Sequence, residues 1–266
     1  MWRVCYPIGI HFGVTQLISF IALQFILAFT GEGTGLYYRS AIWLTGVVDL
    51  VVFALVWPFY RQDHSARMQC GVIEKKDNSL FGGEMILLFL LGAALSFYVN
   101  ELIWNLSFLI DSSDYIEQME KLESGYSLFS LFFWMSIVAP IAEEAVFRWL
   151  VFLRLRDYLK HAWVAALISG LAFGVYHGNV PQAVYASVLG FLFAMLLEWT
   201  GNKWSTVWLH IGANFGSIFL SEVVADMPEE RMTAVLIYMM LVFLAVLIFG
   251  FRYFVKMGRD HTMRLE

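Results

Sequence analysis

Apolar residues along this chain gather into long runs separated by short polar stretches, rather than alternating or recurring on one face. Eight such runs stand out, at 5–29, 41–60, 86–110, 126–153, 162–178, 181–199, 204–224 and 232–254. At about 1.5 Å rise per residue, these are the lengths needed to cross a hydrocarbon core about 30 Å thick. Lipid offers no partner for a backbone N–H or C=O, so each run must be helical and must pack against others. The pattern predicts an all-α, multi-pass transmembrane helix bundle of about eight spans. No internal repeat or low-complexity tract interrupts it, and the longest polar stretches, 61–83 and 111–125, are too short to fold alone. The expectation is therefore one transmembrane domain over residues 1–266.

Composition strengthens this picture: 60% of the 266 residues are apolar and 15% charged, outside the range of ordinary soluble domains. The first run follows only Arg3, is too long for a cleaved signal sequence and has no small-x-small site before Thr30, so it is expected to stay in the mature protein. Basic residues are strongly biased between alternate loops. One side holds Arg3, Arg61, Arg67, Lys75, Lys76, Arg154, Arg156, Lys160, Lys203, Arg252, Lys256, Arg259 and Arg264; the other holds Arg39, Lys121 and Arg231. By the positive-inside rule both termini face the cytoplasm, with Trp43, Trp57, Trp104, Trp163, Trp199 and Trp204 near span ends. The formal charge of −5 contains no basic stripe, which argues against a nucleic-acid partner. Cys5 and Cys70, the only cysteines, sit in no metal-binding spacing and are read as inert thiols. The acidic stretch 111–125 reads as a solvated connector on the outer side.

Small residues mark close helix approach. Gly170, Gly174 and Gly178 recur every four residues, as do Ala186, Gly190 and Ala194, and Gly212 with Gly216. Such faces permit tight packing in lipid.

Ionisable groups inside spans cost about 2.5–3.5 kcal/mol at a helix centre even on lenient scales. The fourth run nevertheless contains Glu143, Glu144 and Arg148. Glu144 and Arg148 are four apart and share a helical face, so they are expected to pair. Glu143 lies about 100° round the helix, a carboxylate placed for general acid–base work in a low-dielectric site. His177 closes the fifth run, and His210 opens the seventh one turn before Asn214. Two histidines, an amide and a glutamate within a glycine-lined region favour catalysis over isolated structural roles. His11, Asp49 and Glu101 in the early runs match no motif and are read as interhelical hydrogen-bonding groups.

The ordered set Glu-Glu-x-x-x-Arg at 143–148, Phe-x-x-x-His at 173–177 and His-x-x-x-Asn at 210–214 resembles the CPBP family, also called Abi or type II CAAX endopeptidases. The resemblance covers about residues 126–220. It implies an intramembrane endopeptidase in which Glu143 and His210 orient and deprotonate water while His177 and Asn214 stabilise the oxyanion. Glu144 and Arg148, with Phe173, would support the helices that carry them. The resemblance admits both a metal-free mechanism and one using zinc, whose ligands would then be His177, His210 and Glu143. It implies a bilayer as environment and a hydrophobic, lipidated or leader peptide as substrate, prenylated C-a-a-X tails in eukaryotic relatives and bacteriocin or signalling peptides in bacterial ones. The compact loops point to a bacterial plasma-membrane member. Two competing readings are a catalytically silent scaffold or immunity protein of the same fold, and an ion-coupled transporter, which the lack of internal symmetry disfavours.

The expected spans carry one tension. They place His210 about 9 Å, Glu143 about 16 Å and His177 about 22 Å from the cytoplasmic end. A single site requires shifted boundaries or a fifth span broken near Gly174 and Gly178.

Overall fold

The computed structural model describes residues 2–30, 34–72, 79–105, 113, 116–117, 125–225 and 227–262. Among them no strand occurs, and the helices are α1 (Trp2–Phe29), α2 (Thr34–Arg39), α3 (Ala41–Gln69), α4 (Gly82–Asn105), α5 (Leu128–Tyr158), α6 (Ala162–Tyr176), α7 (Val180–Thr200), α8 (Lys203–Ala225) and α9 (Glu229–Thr262). Seven of these are long and apolar enough to cross a membrane. The chain is an integral membrane protein. The remaining expected span is α6, whose 15 residues rise only about 22 Å, less than the thickness of a hydrocarbon core. Most of the acidic stretch 111–125 lies outside the described residues.

Several helices outrun their apolar cores. α3 continues through Arg61 and Arg67 to Gln69, where a polar loop from 61 was expected, and α9 reaches Thr262 rather than 254. Hydropathy reports where lipid ends, whereas the backbone ladder continues into water wherever helix-compatible residues follow.

Internal contacts divide the chain into two units, Met1–Lys75 with Ser112–His161, and Lys76–Asp111 with Ala162–Glu266. In the first, α3 packs against α1 and α5. Gly46 is the point of closest approach: a Cβ there would enter the ring of Trp134. Val48, Val52 and Val56 of α3 are buried, and Trp149 of α5 meets Phe53, Trp57 and Tyr60 at ring-centroid distances of 6.3, 6.3 and 5.3 Å. One end of this unit is tied by charge. Asp63 accepts from Arg3 Nη2 and Arg154 Nε, both at 2.5 Å, and Arg154 also donates to Tyr6 Oη and the Arg3 carbonyl. Arg67 makes a two-pronged contact with Asp157 at 2.8 and 3.1 Å.

In the second unit, α6 pairs with α7, and α4 with α8. Both seams are glycine-made. A Cβ at Gly170 would lie 2.6 Å from the Phe191 backbone nitrogen, and one at Gly216 2.7 Å from the Ala93 Cα. Gly92 and Gly212 meet the backbones of Leu209 and Phe89 still more closely. Gly178 has a different role from its neighbours in the four-residue series. A Cβ there would meet nothing within 4 Å, and the residue adopts φ of +73°, so it turns the chain out of α6. Asn179 then caps α7, its Oδ1 accepting from Gln182 N at 2.9 Å, with Pro181 in the first turn. Leu88, Leu91, Phe193, Leu196, Leu209 and Phe254 form the core, with Gly250 of α9 set against Leu91.

Candidate active site

Glu143, Glu144 and Arg148 stand on α5 in the first unit. Ser127 caps this helix by accepting from Ser130 N, but its backbone does not stay α-helical. Phe132–Val138 and Phe147–Phe152 are π-helical, and between them Ala139–Val146 is an α-helical segment carrying both glutamates. Ala139 N donates to the Trp134 carbonyl and Leu153 N to that of Arg148, each five residues back. Pro140 supplies a reason for the first widening. It has no N–H to offer, and its ring would collide with the carbonyl four residues earlier in a regular α-helix. Widening of the helix just before Pro140 relieves that collision. π-turns of this kind are rare and concentrate at functional sites.

Glu144 and Arg148 are completely buried, with Glu144 Oε1 3.1 Å from Arg148 Nη1. Every residue from Glu144 to Phe152 is buried, whereas Glu143 remains partly exposed. The adjacent glutamates thus occupy different environments. Glu144 is fully enclosed with its cation, whereas Glu143 as a residue keeps some exposed surface.

The second unit holds Phe173, His177, His210 and Asn214. Buried Phe173 organises both histidines: its ring is edge-on to His177 at 4.8 Å and 84°, and to His210 at 5.8 Å and 86°. Phe193 lies 5.0 Å from the His210 ring on another side. His177 is the first residue past α6. Its backbone N–H reaches the Gly174 carbonyl at 3.2 Å, tightening the last turn, and its ring Nδ1 lies 2.8 Å from the Phe173 carbonyl. A carbonyl only accepts, so Nδ1 carries the proton, and the lone pair of the neutral ring is on Nε2. Asn214 follows His210 one turn along α8, partly buried. Among the described residues no group of three or more His, Cys, Asp or Glu side chains is arranged to hold a metal ion.

Residues 125–216 match the family described as type II CAAX prenyl endopeptidase Rce1-like, and all seven motif residues fall inside that stretch. That segment is similar to the CPBP family. A curated relative named "Putative membrane peptidase YdiL", from Bacillus subtilis (strain 168), is 33% identical over 99 residues. The match covers 37% of this chain and 40% of that protein, so the two align over less than half of either length. No solved structure matches the chain.

The matched segment runs from the start of α5 into α8 and leaves α1, α3, α4 and α9 outside it. Two of those outside helices bring ionisable groups towards the segment's glutamates. His11 of α1 and Asp49 of α3, both buried, approach to 3.5 Å between Nε2 and Oδ1. Asp49 is near enough for its charge to act on Glu143, as are Glu144 and Arg148. The sequence showed these two as isolated polar positions. Their pairing across 38 positions depends on how α1 and α3 pack, and only their presence inside apolar runs was legible beforehand.

Proposed function

We propose that this chain is an intramembrane endopeptidase of the CAAX type, with both termini cytoplasmic, cleaving a hydrophobic, lipidated or leader peptide by activated water. The observation that carries the reading is the contrast on α5. Glu144 is paired with Arg148 at 3.1 Å with both fully buried, while neighbouring Glu143 retains partial exposure.

In the reaction, water attacks the peptide carbonyl carbon. Its proton passes to Glu143, and a C–O bond forms as the carbonyl becomes an oxyanion. The C–N bond then breaks, and the leaving nitrogen takes the proton from Glu143. The His177 bond to the Phe173 carbonyl favours the reverse of the two histidine roles that the resemblance implied. A neutral ring with its proton on Nδ1 has an acceptor at Nε2, suited to orienting water and unsuited to donating to an oxyanion. His210 and Asn214, which share a face and each offer an N–H, suit the oxyanion.

The test is cleavage of a panel of C-a-a-X and leader peptides by detergent-purified protein, wild type beside Glu143→Gln, with and without a strong chelator. Cleavage by wild type and its loss in the variant are expected. Equal cleavage by both would overturn the assignment of Glu143, and no cleavage by either would favour a silent scaffold of the same fold. The chelator arm reads whether a metal takes part.

A further inference from the structure

The last helix carries two cations that the chemistry above does not use. Gly250, Phe254 and Gly258 of α9 are buried at four-residue intervals, with Gly250 set against Leu91 and Gly258 against Trp199. That stripe is the packed side of the helix. Ala245, Ile248, Phe249, Arg252, Tyr253 and Lys256 recur at the three- and four-residue steps of a single helical face, and all six are exposed. A hollow of about 570 Å³ opens along them.

The two ends of this face differ in chemistry. Ala245, Ile248 and Phe249 lie inside the last apolar run, whereas Arg252 and Lys256 stand across its C-terminal edge. From Ala245 to Lys256 the helix rises about 16 Å, half of a hydrocarbon core about 30 Å thick. The face therefore has the reach of one leaflet. Tyr253 holds one wall of the hollow in place. Its hydroxyl donates to Glu84 Oε1 at 2.7 Å, and Phe249 lies against its ring at 6.4 Å and 26°.

Lipid tails account for the apolar part of such a face on any spanning helix, but they do not account for the cations. Arg252 and Lys256 are four residues apart on one face, where like charges repel. Neither makes a hydrogen bond or ion pair among the described residues. Glu84 is already engaged, by Tyr253 through one oxygen and by the Phe81 N–H at 2.9 Å through the other. Basic clusters at the membrane edge of spanning helices bind anionic headgroups.

We propose that this face of α9 is a binding site for one anionic glycerophospholipid, its phosphate seated between Arg252 and Lys256 and one acyl chain lying along Phe249, Ile248 and Ala245. The phosphate removes the repulsion between the two cations. A zwitterionic lipid brings its own cation and fits less well. The site lies outside the matched segment 125–216 and stands or falls independently of the peptidase reading.

The experiment is native mass spectrometry of the full chain in neutral detergent, titrated with phosphatidylglycerol or phosphatidylcholine of the same chains, with thermal unfolding of each protein. The variants are Arg252→Gln/Lys256→Gln, its two single variants, Ala245→Trp, which fills the hollow and keeps both charges, and Arg61→Gln/Lys160→Gln, which removes two exposed cations elsewhere. Wild type should bind one phosphatidylglycerol more tightly than phosphatidylcholine. Loss of Arg252 and Lys256 should weaken that binding on the order of 30-fold, with the unfolding midpoint in lipid-free detergent unchanged. Ala245→Trp should weaken it as well, and Arg61→Gln/Lys160→Gln should leave it unchanged. Equal affinity of wild type for the two lipids overturns the site. Equal losses in the two double variants also overturn it, by showing attraction to net charge alone. Wild-type binding in Ala245→Trp, or displacement of the lipid by inorganic phosphate at equal concentration, leaves no seat for an acyl chain and overturns it too. If the double variant does not fold, the single variants decide: unchanged affinity in both overturns the site.

Discussion

Glu144 and Arg148 form an ion pair of 3.1 Å in which neither side chain has any exposed surface. A buried pair of this kind adds little net stability over a well-packed apolar pair, but breaking it strands a charge. Glu144→Ala should therefore lower stability by about 3–5 kcal/mol, while an apolar pair of matched volume at both positions should fold. Thermal unfolding in detergent, read by tryptophan fluorescence, distinguishes the two. An unfolding midpoint unchanged in Glu144→Ala would show that Arg148 is satisfied by other means.

Glycine seams give a second prediction. Gly212 faces the Phe89 backbone and Gly92 that of Leu209, neither of which can move aside as a flexible side chain does. Alanine at either position should cost about 1–3 kcal/mol through overpacking. Gly9→Ala, with nothing within 4 Å of the new Cβ, should be neutral or slightly stabilising through helix propensity. Equal midpoints for Gly9→Ala and Gly212→Ala would contradict the seam.

How much of this was legible beforehand follows from what lipid selects. Long apolar runs are obligatory for a spanning helix, so existence and order of the spans could be read directly, and Gly178 marked the break after α6. The polar extensions of α3 and α9 were not legible, because hydropathy falls at the interface while the helix continues. The π-helical turns of α5 left no trace beyond Pro140. Gly46 and Gly92 are lone glycines without a four-residue repeat, and only the packed helices reveal them as contact points. The glutamate, histidine and asparagine motifs were visible because each polar group stands out in an apolar run. The proton position on His177 was not visible, since it depends on where α6 ends.

Charge at the end of the first unit predicts an asymmetric response. Arg3 is 59% exposed where it meets Asp63, whereas Arg154 is 3% exposed. Arg3→Ala should cost no more than about 1 kcal/mol, as solvated pairs do, and less at high salt. Asp63→Ala leaves Arg154 buried without its carboxylate and should cost about 3–5 kcal/mol. It should also loosen α1, which Arg154 grips at Tyr6 and the Arg3 carbonyl. Hydrogen exchange over residues 2–10 measures this, and unchanged protection in Asp63→Ala would show that α1 is held by apolar contacts alone.

His177 offers a test that separates structure from chemistry on one side chain. Its Nδ1 donates to the Phe173 carbonyl at 2.8 Å, leaving Nε2 for the proposed water. Asparagine places its amide N–H where Nδ1 stands and has nothing at Nε2; glutamine reaches the Nε2 position and leaves the carbonyl without this donor. His177→Asn should therefore keep stability within about 1 kcal/mol of wild type, the net worth of one hydrogen bond, yet lose cleavage on the order of 100-fold or more, as removal of an acid–base group does. His177→Gln should be the less stable of the two and no more than weakly active. Unfolding midpoints and single-turnover cleavage, measured side by side, read both predictions. If His177→Asn retains full activity, Nε2 is not the acceptor for water and the histidine serves only to close the last turn of α6.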